Sequence, residues 1–490
     1  MKTKPVGPRV AVGFVVCLAA VAASAKTAEP ALSQNTQACL ECHRLFTPGI
    51  VADWKLSRHA QTTPAAALAK PALERRVSSE NIPAALQKTA VGCFECHGQN
   101  PEAHPDTFAH FGYQIHPVVS PEDCKTCHAR EVAEFSGSKK AHAVDNLMDN
   151  PVYALLVETI MSPKEIVDGK TRAGKASEDS KGEACLACHG TVVKVKGMKK
   201  IETALGQIEV PDLTNWPNDG VGRVNPDGSR GGCGACHPRH GFSIEVARKP
   251  YNCARCHLEP DVPGWNVWAE SVHGFLTQSQ GDRYDWDAVP WTVGQDFRAP
   301  SCAVCHNALV VNPQGDVLAP RTHDFGARLW VRLFGLPYAT AQPKSGRTSI
   351  IKNADGLPLP ATFGNVPAAD YLIDQAEQDR RRAAMVKLCT GCHGTDWSQK
   401  QFEQMDTVIE ETNRMTLAAT QLVSRAWEKG KADKTNPFDE KIEQMWVKQW
   451  LFYGSTTRYA AAMSGPDYSA FKNGWWDLTH NLESLEKGHK

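Results

Sequence analysis

The chain has 490 residues, with 54 basic and 54 acidic side chains, 17 cysteines and 18 histidines. This length allows roughly two to four domains, and a composition of 42% apolar and 22% charged residues excludes a disordered or collagen-like chain. A formal net charge of zero excludes a strongly basic nucleic-acid-binding protein. The unusual number is the cysteine count, which requires disulfides, metals or a covalent cofactor.

The N-terminal segment, residues 1–25, is typical of a secretory signal peptide. Three basic residues precede the apolar stretch 10–23, and the small residues Ala-Ser-Ala end the segment at Ala25. The apolar stretch is shorter than the roughly 20 residues that a membrane span needs, and an uncleaved anchor is the alternative. Cleavage after Ala25 removes Cys17 and leaves 16 of the 17 cysteines. We therefore expect a soluble, exported protein of the periplasm.

The 16 remaining cysteines form eight copies of the pattern Cys-x-x-Cys-His. In chain order the copies are Cys39, Cys42 and His43; Cys93, Cys96 and His97; Cys124, Cys127 and His128; Cys185, Cys188 and His189; Cys233, Cys236 and His237; Cys253, Cys256 and His257; Cys302, Cys305 and His306; and Cys389, Cys392 and His393. This pattern is the attachment signature of c-type haem, in which both thiols bond to the porphyrin and the adjacent histidine binds the iron. The sequence therefore predicts eight covalently attached c-type haems, each with its iron.

Three other interpretations apply to a single copy of this pattern: a zinc site, a redox dithiol or a disulfide. Zinc sites do not require a histidine after every second cysteine, and disulfides do not require the same spacing eight times. Haem propionates would also add negative charge to the neutral polypeptide, which is a second argument against a nucleic-acid partner.

Ten histidines outside the motifs are candidates for the second axial ligand of an iron. A haem that only relays electrons takes a second ligand, whereas a catalytic haem leaves that position open for substrate. His489, beside the C-terminus, is expected to fray. The other nine can serve seven relay haems or all eight, so the count permits one open haem without requiring it. We predict distal ligation by His59, His116, His142, His240, His273 and His323, and the remaining candidates are His104, His110 and His480.

The motif spacing divides the mature chain into three regions. They are an N-terminal tri-haem region (26–163), a central tetra-haem region with the expected active site (184–340), and a C-terminal helical region with the eighth haem (368–490). The Lys- and Gly-rich stretch 164–183 is predicted to be a loop, and the Pro- and Gly-rich stretch 341–367 an extended connection.

The C-terminal region carries the clearest helical patterns. Helices are predicted over 371–388, 399–429 and 437–453, with Pro437 at a first helical position. No alternating pattern of useful length predicts a strand. The expected fold is mainly α, a haem-packed multihaem cytochrome c with loop-rich N-terminal and middle parts and a C-terminal helical bundle.

The eight motifs and the sequence around them resemble the octahaem hydroxylamine oxidoreductase family. The most similar stretches are 111–128 (FGYQIHPVVSPEDCKTCH), 232–243 (GCGACHPRHGFS), 247–261 (ARKPYNCARCHLEPD), 268–274 (WAESVHG) and 465–468 (GPDY), followed by GWWDL. The resemblance implies an α-helical, haem-packed subunit that usually forms a homotrimer. It also implies that the fourth motif carries the open catalytic haem and that the other seven haems are bis-histidine relays.

The resemblance further implies three catalytic residues, which are His189, Asp261 and Tyr468. In oxidative members of the family a tyrosine from a neighbouring subunit bonds to the active haem, and Tyr468 is the best match, with a simple packed aromatic as the alternative. Family members also place an Asp-His pair after the sixth motif. Here Asp261 is followed by Val262, which cannot relay a proton. Asp261 itself would otherwise be a turn residue.

Three functions remain open at this point. The first is oxidation of hydroxylamine or a similar small inorganic nitrogen compound at one open haem. The second is reduction of nitrite or hydroxylamine by the same architecture, for which the missing histidine is less surprising. The third is a non-enzymatic electron-transfer protein, and sulfur oxyanions are a further substrate class. The expected electron partner is a small cytochrome c or a quinone-linked membrane protein.

Overall fold

Short helices joined by loops make up the N-terminal part of the chain. The structure, a computed structural model, describes residues 29–489, so the predicted signal peptide and Cys17 lie outside the described residues. The elements of this part are α1 (Gln34–Phe46), α2 (Pro48–Leu56), α3 (Arg58–Gln61), α4 (Pro64–Leu68), α5 (Ala84–Gln87), α6 (Cys93–His97), β1 (Phe108–His110), β2 (Tyr113–Ile115), α7 (Pro121–Lys125), α8 (Ala129–Ser136), α9 (Ala143–Met148) and α10 (Pro151–Met161).

Capping side chains fix where several of these helices begin. Ser33, Ser57, Thr63, Ser120 and Asn150 each accept a hydrogen bond from a backbone N–H of the first helical turn. Such side chains are the preferred N-caps of helices. Several of the helices then start with proline, whose fixed φ suits a first helical position. The loop-rich character predicted for this part is confirmed.

The middle of the chain contains short helices and most of the strands. Its elements are β3 (Lys164–Val167), β4 (Lys170–Ala173), α11 (Glu178–Glu183), α12 (Cys185–His189), β5 (Lys194–Thr203), β6 (Gly206–Thr214), α13 (Ile244–Arg248), α14 (Pro250–Ala254), α15 (Gly264–Glu270), α16 (Val272–Gln280), β7 (Trp291–Thr292), α17 (Cys302–His306), β8 (Val310–Val311), β9 (Val317–Ala319), β10 (Val331–Arg332) and β11 (Thr340–Ala341).

Two expectations for this part are wrong. The stretch 164–183, predicted as a loop, contains the hairpin β3–β4 and the helix α11. The strands β5 and β6 form a long antiparallel hairpin that the sequence did not predict. Both hairpins are largely exposed. A period-two apolar pattern arises when one face of a strand is buried, and these strands have no such face over most of their length.

The C-terminal part is a bundle of longer helices. It consists of α18 (Gln375–Cys389), α19 (Thr395–Glu428), α20 (Lys441–Val447), a π-helical stretch (Lys448–Gly454), α21 (Ser455–Met463), α22 (Tyr468–Ala470), a second π-helical stretch (Phe471–Trp475) and α23 (Trp476–His489). The mainly α fold with a C-terminal helical bundle is confirmed.

Two helices of this bundle begin later than the sequence predicts. The first helix starts at Gln375 rather than residue 371, because the Asp374 side chain accepts a hydrogen bond from the Glu377 N–H and caps it. The third predicted helix starts at Lys441, where Glu440 and Glu443 form a capping box. Pro437 is therefore not a first helical residue and lies before the cap.

One apolar cluster joins the bundle to the N-terminal part. Val152, Tyr153 and Leu156 of α10 pack in the same cluster as Val423 of α19 and Trp446 of α20. Residues of α10, in the expected first region, therefore pack against helices of the expected last region. In the described part of the chain, no helix combines the length and the apolar character that crossing a membrane needs.

Candidate functional site

Each Cys-x-x-Cys-His motif is built on about one turn of helix. In four motifs the backbone N–H of the histidine donates to the carbonyl of the first cysteine at 2.9 Å; these histidines are His128, His237, His257 and His393. Positions i, i+3 and i+4 of a helical turn share one face. Both thiols and the imidazole therefore project to one side, which is the arrangement that a covalently attached porphyrin with an axial histidine requires.

Hydrogen bonds fix the imidazole rings of the motif histidines. Nδ1 of His97 donates to the carbonyl of His116 at 2.8 Å, and Nδ1 of His189 donates to the carbonyl of Ala143 at 3.0 Å. Nδ1 of His43 lies 2.9 Å from the Thr47 hydroxyl. A bond at Nδ1 sets the tautomer and leaves Nε2 for a metal.

Burial keeps these rings neutral, as a metal-binding imidazole must be. It lowers the pKa of His97, His237 and His306 to about 4. In His306 a bond to the Phe325 backbone partly opposes this effect, as a bond to the Ser243 backbone does in His237.

Four motif histidines face a second histidine at a nearly constant distance. The ring centroids are 6.2 Å apart in His43–His110 and His59–His128, 6.4 Å in His97–His240 and 6.0 Å in His273–His393. A histidine–metal bond is about 2 Å long, so two imidazoles on opposite sides of one iron have centroids about 6 Å apart. These pairs fit a haem iron between them.

Among the predicted distal ligands, His59, His240 and His273 are in such pairs, and His116 also lies 6.2 Å from His97. His110, one of the remaining candidates, faces His43. Only the histidine count pointed to His110, because its surrounding sequence carries no distinctive pattern. Nδ1 is buried and has no hydrogen-bond partner in His59, His142 and His323, and neither ring nitrogen of His116 has one. Burial also lowers the pKa of His323 to about 4, and the nearby His237 contributes to that shift.

His116 lies in a different environment from the other predicted ligands. Its carbonyl holds His97, and its ring stacks on that of His104 with centroids 3.6 Å apart. Burial opposes charge on His104, yet hydrogen bonds to Asp106 and Asp123 raise its pKa to about 9. The structure thus joins His116 to a buried cluster of histidine and aspartate.

No disulfide joins any two of the sixteen motif cysteines, all of which lie within the described residues. Thiols of different motifs lie in hydrogen-bond contact in the pairs Cys39–Cys93, Cys124–Cys233, Cys188–Cys256 and Cys253–Cys302. Motifs far apart in sequence are therefore neighbours in space, and the fourth motif adjoins the sixth.

The fourth motif and the turn after the sixth motif form the candidate catalytic centre. Cys188 Sγ donates to the Arg255 carbonyl at 3.7 Å. Burial lowers the pKa of His189, while the bond to Ala143 and the negative charge of Asp261 oppose that effect. Burial raises the pKa of Cys185, and the negative charge of Asp261 raises it further. The fold therefore brings Asp261 close to the fourth motif, and Val262 follows it in the same turn.

Two tyrosines differ in their relation to this centre. Tyr459 of α21 lies near Asp261, and burial raises its pKa to about 12, so it is protonated at neutral pH. No sequence pattern had pointed to it. Tyr468 is 72% exposed, and its ring lies 6.0 Å from that of Phe471. Phe471 in turn lies 6.1 Å from Trp476, so Tyr468 belongs to an exposed aromatic surface of the single chain.

Gly190 fixes the end of the fourth motif, and Gly190→Ala is expected to destabilise it. Its φ is +101°, and a Cβ there would overlap the backbone of Gly222 and Arg223. Overpacking of this kind costs about 1–3 kcal/mol. Gly182→Ala in α11, where a Cβ meets nothing within 4 Å, is the control and should be neutral or slightly stabilising. Chemical denaturation measures both, and equal midpoints would contradict the expectation.

Two family models match parts of the chain. The model described as "Seven times multi-haem cytochrome CxxCH" matches residues 226–314. The model described as "Cytochrome c554 and c-prime" matches residues 38–111 and 123–209. Both models describe c-type cytochromes, so the matched motifs carry covalently bound haem.

Three relatives extend this comparison. A solved structure described as a "hypothetical multiheme protein" is 44% identical, covers 93% of this chain and 95% of its own, and superposes with a TM-score of 0.86. A reducing HAO-like protein complex from Kuenenia stuttgartiensis is 17% identical over 93% of this chain and 84% of its own, with a TM-score of 0.61, which shows a shared fold. A probable nitrite reductase-hydroxylamine oxidoreductase fusion protein from the same organism is 24% identical over 77% of this chain. This chain spans 36% of that relative's length.

Proposed function

Since this chain belongs to the multihaem cytochromes c and shares the HAO-like fold, where HAO is hydroxylamine oxidoreductase, we propose that it is a periplasmic enzyme acting on a small inorganic nitrogen compound. The proposed reaction is hydroxylamine oxidation at the haem attached to Cys185 and Cys188. That haem supplies an iron that binds the substrate nitrogen and accepts electrons. The observation that carries the proposal is the approach of Asp261 to the fourth motif from a separate segment of the chain.

Asp261 is suited to the proton part of this reaction. Oxidation of hydroxylamine releases protons together with electrons, and a carboxylate beside the bound substrate can accept them. His189, held at Nδ1 by the Ala143 carbonyl, would hold the iron through Nε2. Tyr459 keeps its proton at neutral pH and can donate a hydrogen bond to a bound substrate oxygen.

The remaining seven motifs are proposed to be electron relays, which gives eight haems in all. The four close pairs supply distal ligands from His110, His59, His240 and His273. His240 rather than His116 is the proposed partner of His97, because His116 contacts His97 through its backbone and stacks on His104. His323 is the proposed partner of His237, whose charge influences its pKa. Carbon monoxide binding to the reduced protein tests the open haem, since a chain of six-coordinate irons would bind none.

The exposed aromatic surface of Tyr468, Phe471 and Trp476 supports a homotrimer. Soluble proteins rarely leave clustered aromatic rings exposed unless another surface covers them. In the proposed trimer, Tyr468 of one subunit reaches the active haem of its neighbour. An electron acceptor, either a small cytochrome c or a quinone-linked membrane protein, would then accept electrons from the relay haems.

Tyr468→Phe tests the oxidative direction. A tyrosine bonded to the haem distorts the macrocycle, so we expect the reduced wild-type protein to show an absorption band unlike ordinary c-type haem, and Tyr468→Phe to lose that band. Tyr251→Phe, at a tyrosine that is 57% exposed, is the matched control and should keep it. A wild-type protein without the band would contradict hydroxylamine oxidation as the reaction.

Reduction of nitrite or hydroxylamine is the second candidate, favoured by two observations. Val262 occupies the position at which oxidative members carry a histidine. Tyr459 near Asp261 keeps its proton and can donate a hydrogen bond to an oxygen of bound nitrite. Without the tyrosine-dependent band, turnover of nitrite or hydroxylamine with a reduced dye would establish this direction.

A further inference from the structure

The turn between α8 and α9, residues 137–142, contacts two haem motifs at once. Just after it, the Ala143 carbonyl accepts the Nδ1 proton of His189 at 3.0 Å. Within it, Nζ of Lys140 lies 3.3 Å from Nε2 of His257 in the sixth motif. The Ala143 N–H donates to the Lys140 carbonyl at 3.2 Å, which fixes the turn. The fold therefore delivers a lysine amine to the sixth motif, next to the fourth.

Nε2 of His257 is the nitrogen that the motifs leave for iron. Two nitrogens on opposite sides of one iron are about 4 Å apart, since each metal–nitrogen bond is about 2 Å long. Lys140 Nζ stands close to that separation, and a small rotation of its flexible side chain makes up the difference.

In the described part of the chain, no second histidine ring lies about 6 Å from that of His257, whereas four other motif histidines have such a partner. His116 lies 6.2 Å from His97, which His240 also faces. His104 is bound to Asp106 and Asp123, and His480 is exposed, with Nδ1 bonded to the Trp476 carbonyl. The side chain that faces Nε2 of His257 is that of Lys140.

Within residues 29–489, no carboxylate forms an ion pair with Lys140. The side chain is half-buried, and the Phe325 ring centroid lies 4.9 Å from Nζ. The polar contact of Nζ is with Nε2 of His257. A metal held between these two nitrogens would use the lone pair of each.

We propose that Lys140 is the sixth ligand of the haem iron attached through Cys253 and Cys256, opposite His257. This inference rests on the proposed arrangement of one open haem and seven relays. It gives the relay next to the catalytic centre a different axial ligand from its bis-histidine neighbours. Since the axial ligand sets the reduction potential of a haem, this relay is expected to differ in potential from the others.

Lys140→Arg separates ligation from charge. Arginine keeps the positive charge, but it stays protonated and has no lone pair to offer. We expect one low-spin iron to become high-spin, and the reduced variant to bind one more carbon monoxide per chain than the wild-type protein. Lys140→Met, which supplies a thioether ligand, should restore a low-spin iron. Lys139→Arg, at the preceding lysine, is the matched control and should leave both readouts unchanged.

The outcomes distinguish this proposal from the proposed function. Variants are compared at wild-type haem content, and unchanged spin state and carbon monoxide count in Lys140→Arg would overturn ligation by Lys140. If the wild-type protein binds no carbon monoxide and Lys140→Arg binds one, Lys140 is a ligand and the open haem at His189 is refuted. Should Lys140→Arg not fold, near-infrared magnetic circular dichroism of the oxidised wild-type protein decides. An amine–imidazole band beside the bis-imidazole band supports the proposal, and its absence overturns it.

Discussion

Asp261→Asn is expected to lower turnover by about 100- to 10,000-fold, the usual contribution of a positioned general acid or base. The substitution keeps the shape of the side chain and removes its ability to accept a proton. Because Asp261 acts on the fourth motif from a turn after the sixth, its effect should appear in turnover and leave the haem content unchanged. Steady-state kinetics with hydroxylamine as electron donor, and with nitrite as electron acceptor, measure this in both directions.

The control for this variant is Glu259→Gln, two residues earlier on the same turn. Glu259 is also exposed, and its backbone N–H is bonded to the Asn266 side chain. The substitution Glu259→Gln removes a negative charge two residues from Asp261 and leaves the proposed proton acceptor unchanged. If Glu259→Gln slows turnover as much as Asp261→Asn, the effect is one of general charge and the role of Asp261 is wrong.

Trp446→Ala is expected to lower the free energy of unfolding by about 3–5 kcal/mol, the range for removing a large aromatic ring from a core. Trp446 is fully buried, and its ring meets Phe363 edge-on at 5.4 Å. Its Nε1 donates to the Thr420 hydroxyl at 2.8 Å, so the substitution also removes a buried hydrogen bond. Denaturant titration followed by far-ultraviolet circular dichroism measures the loss.

Leu205→Ala is the control, since this apolar side chain between β5 and β6 is 56% exposed. Surface substitutions usually change stability by less than about 0.5 kcal/mol. A similar midpoint for Trp446→Ala and Leu205→Ala would contradict the assignment of the cluster around Trp446 as the core of the bundle.

Features that depend on a few consecutive residues could be predicted from the sequence. A Cys-x-x-Cys-His motif holds both thiols and an axial histidine within one helical turn, so the sequence indicates its chemistry without knowledge of the fold. The long helix α19 was predicted for a similar reason, because its apolar face repeats with the helical period. The start of a helix such as α20 is harder to predict, because Pro437 also suits a first helical position, whereas the structure uses Glu440 as the cap before Lys441.

Features that join distant segments were decided by the tertiary structure. The histidine that faces His43 is His110, and the lysine that faces His257 comes from a turn 117 residues away. A distal ligand has to lie at the right place and point in the right direction. The packing of distant segments sets both, so local sequence spacing does not indicate which residue it is. The exposed hairpin β5–β6 escaped prediction for the opposite reason, because strands with little buried surface carry no apolar alternation. The sequence thus determined what each haem is attached to, and the tertiary structure decided what lies across from it.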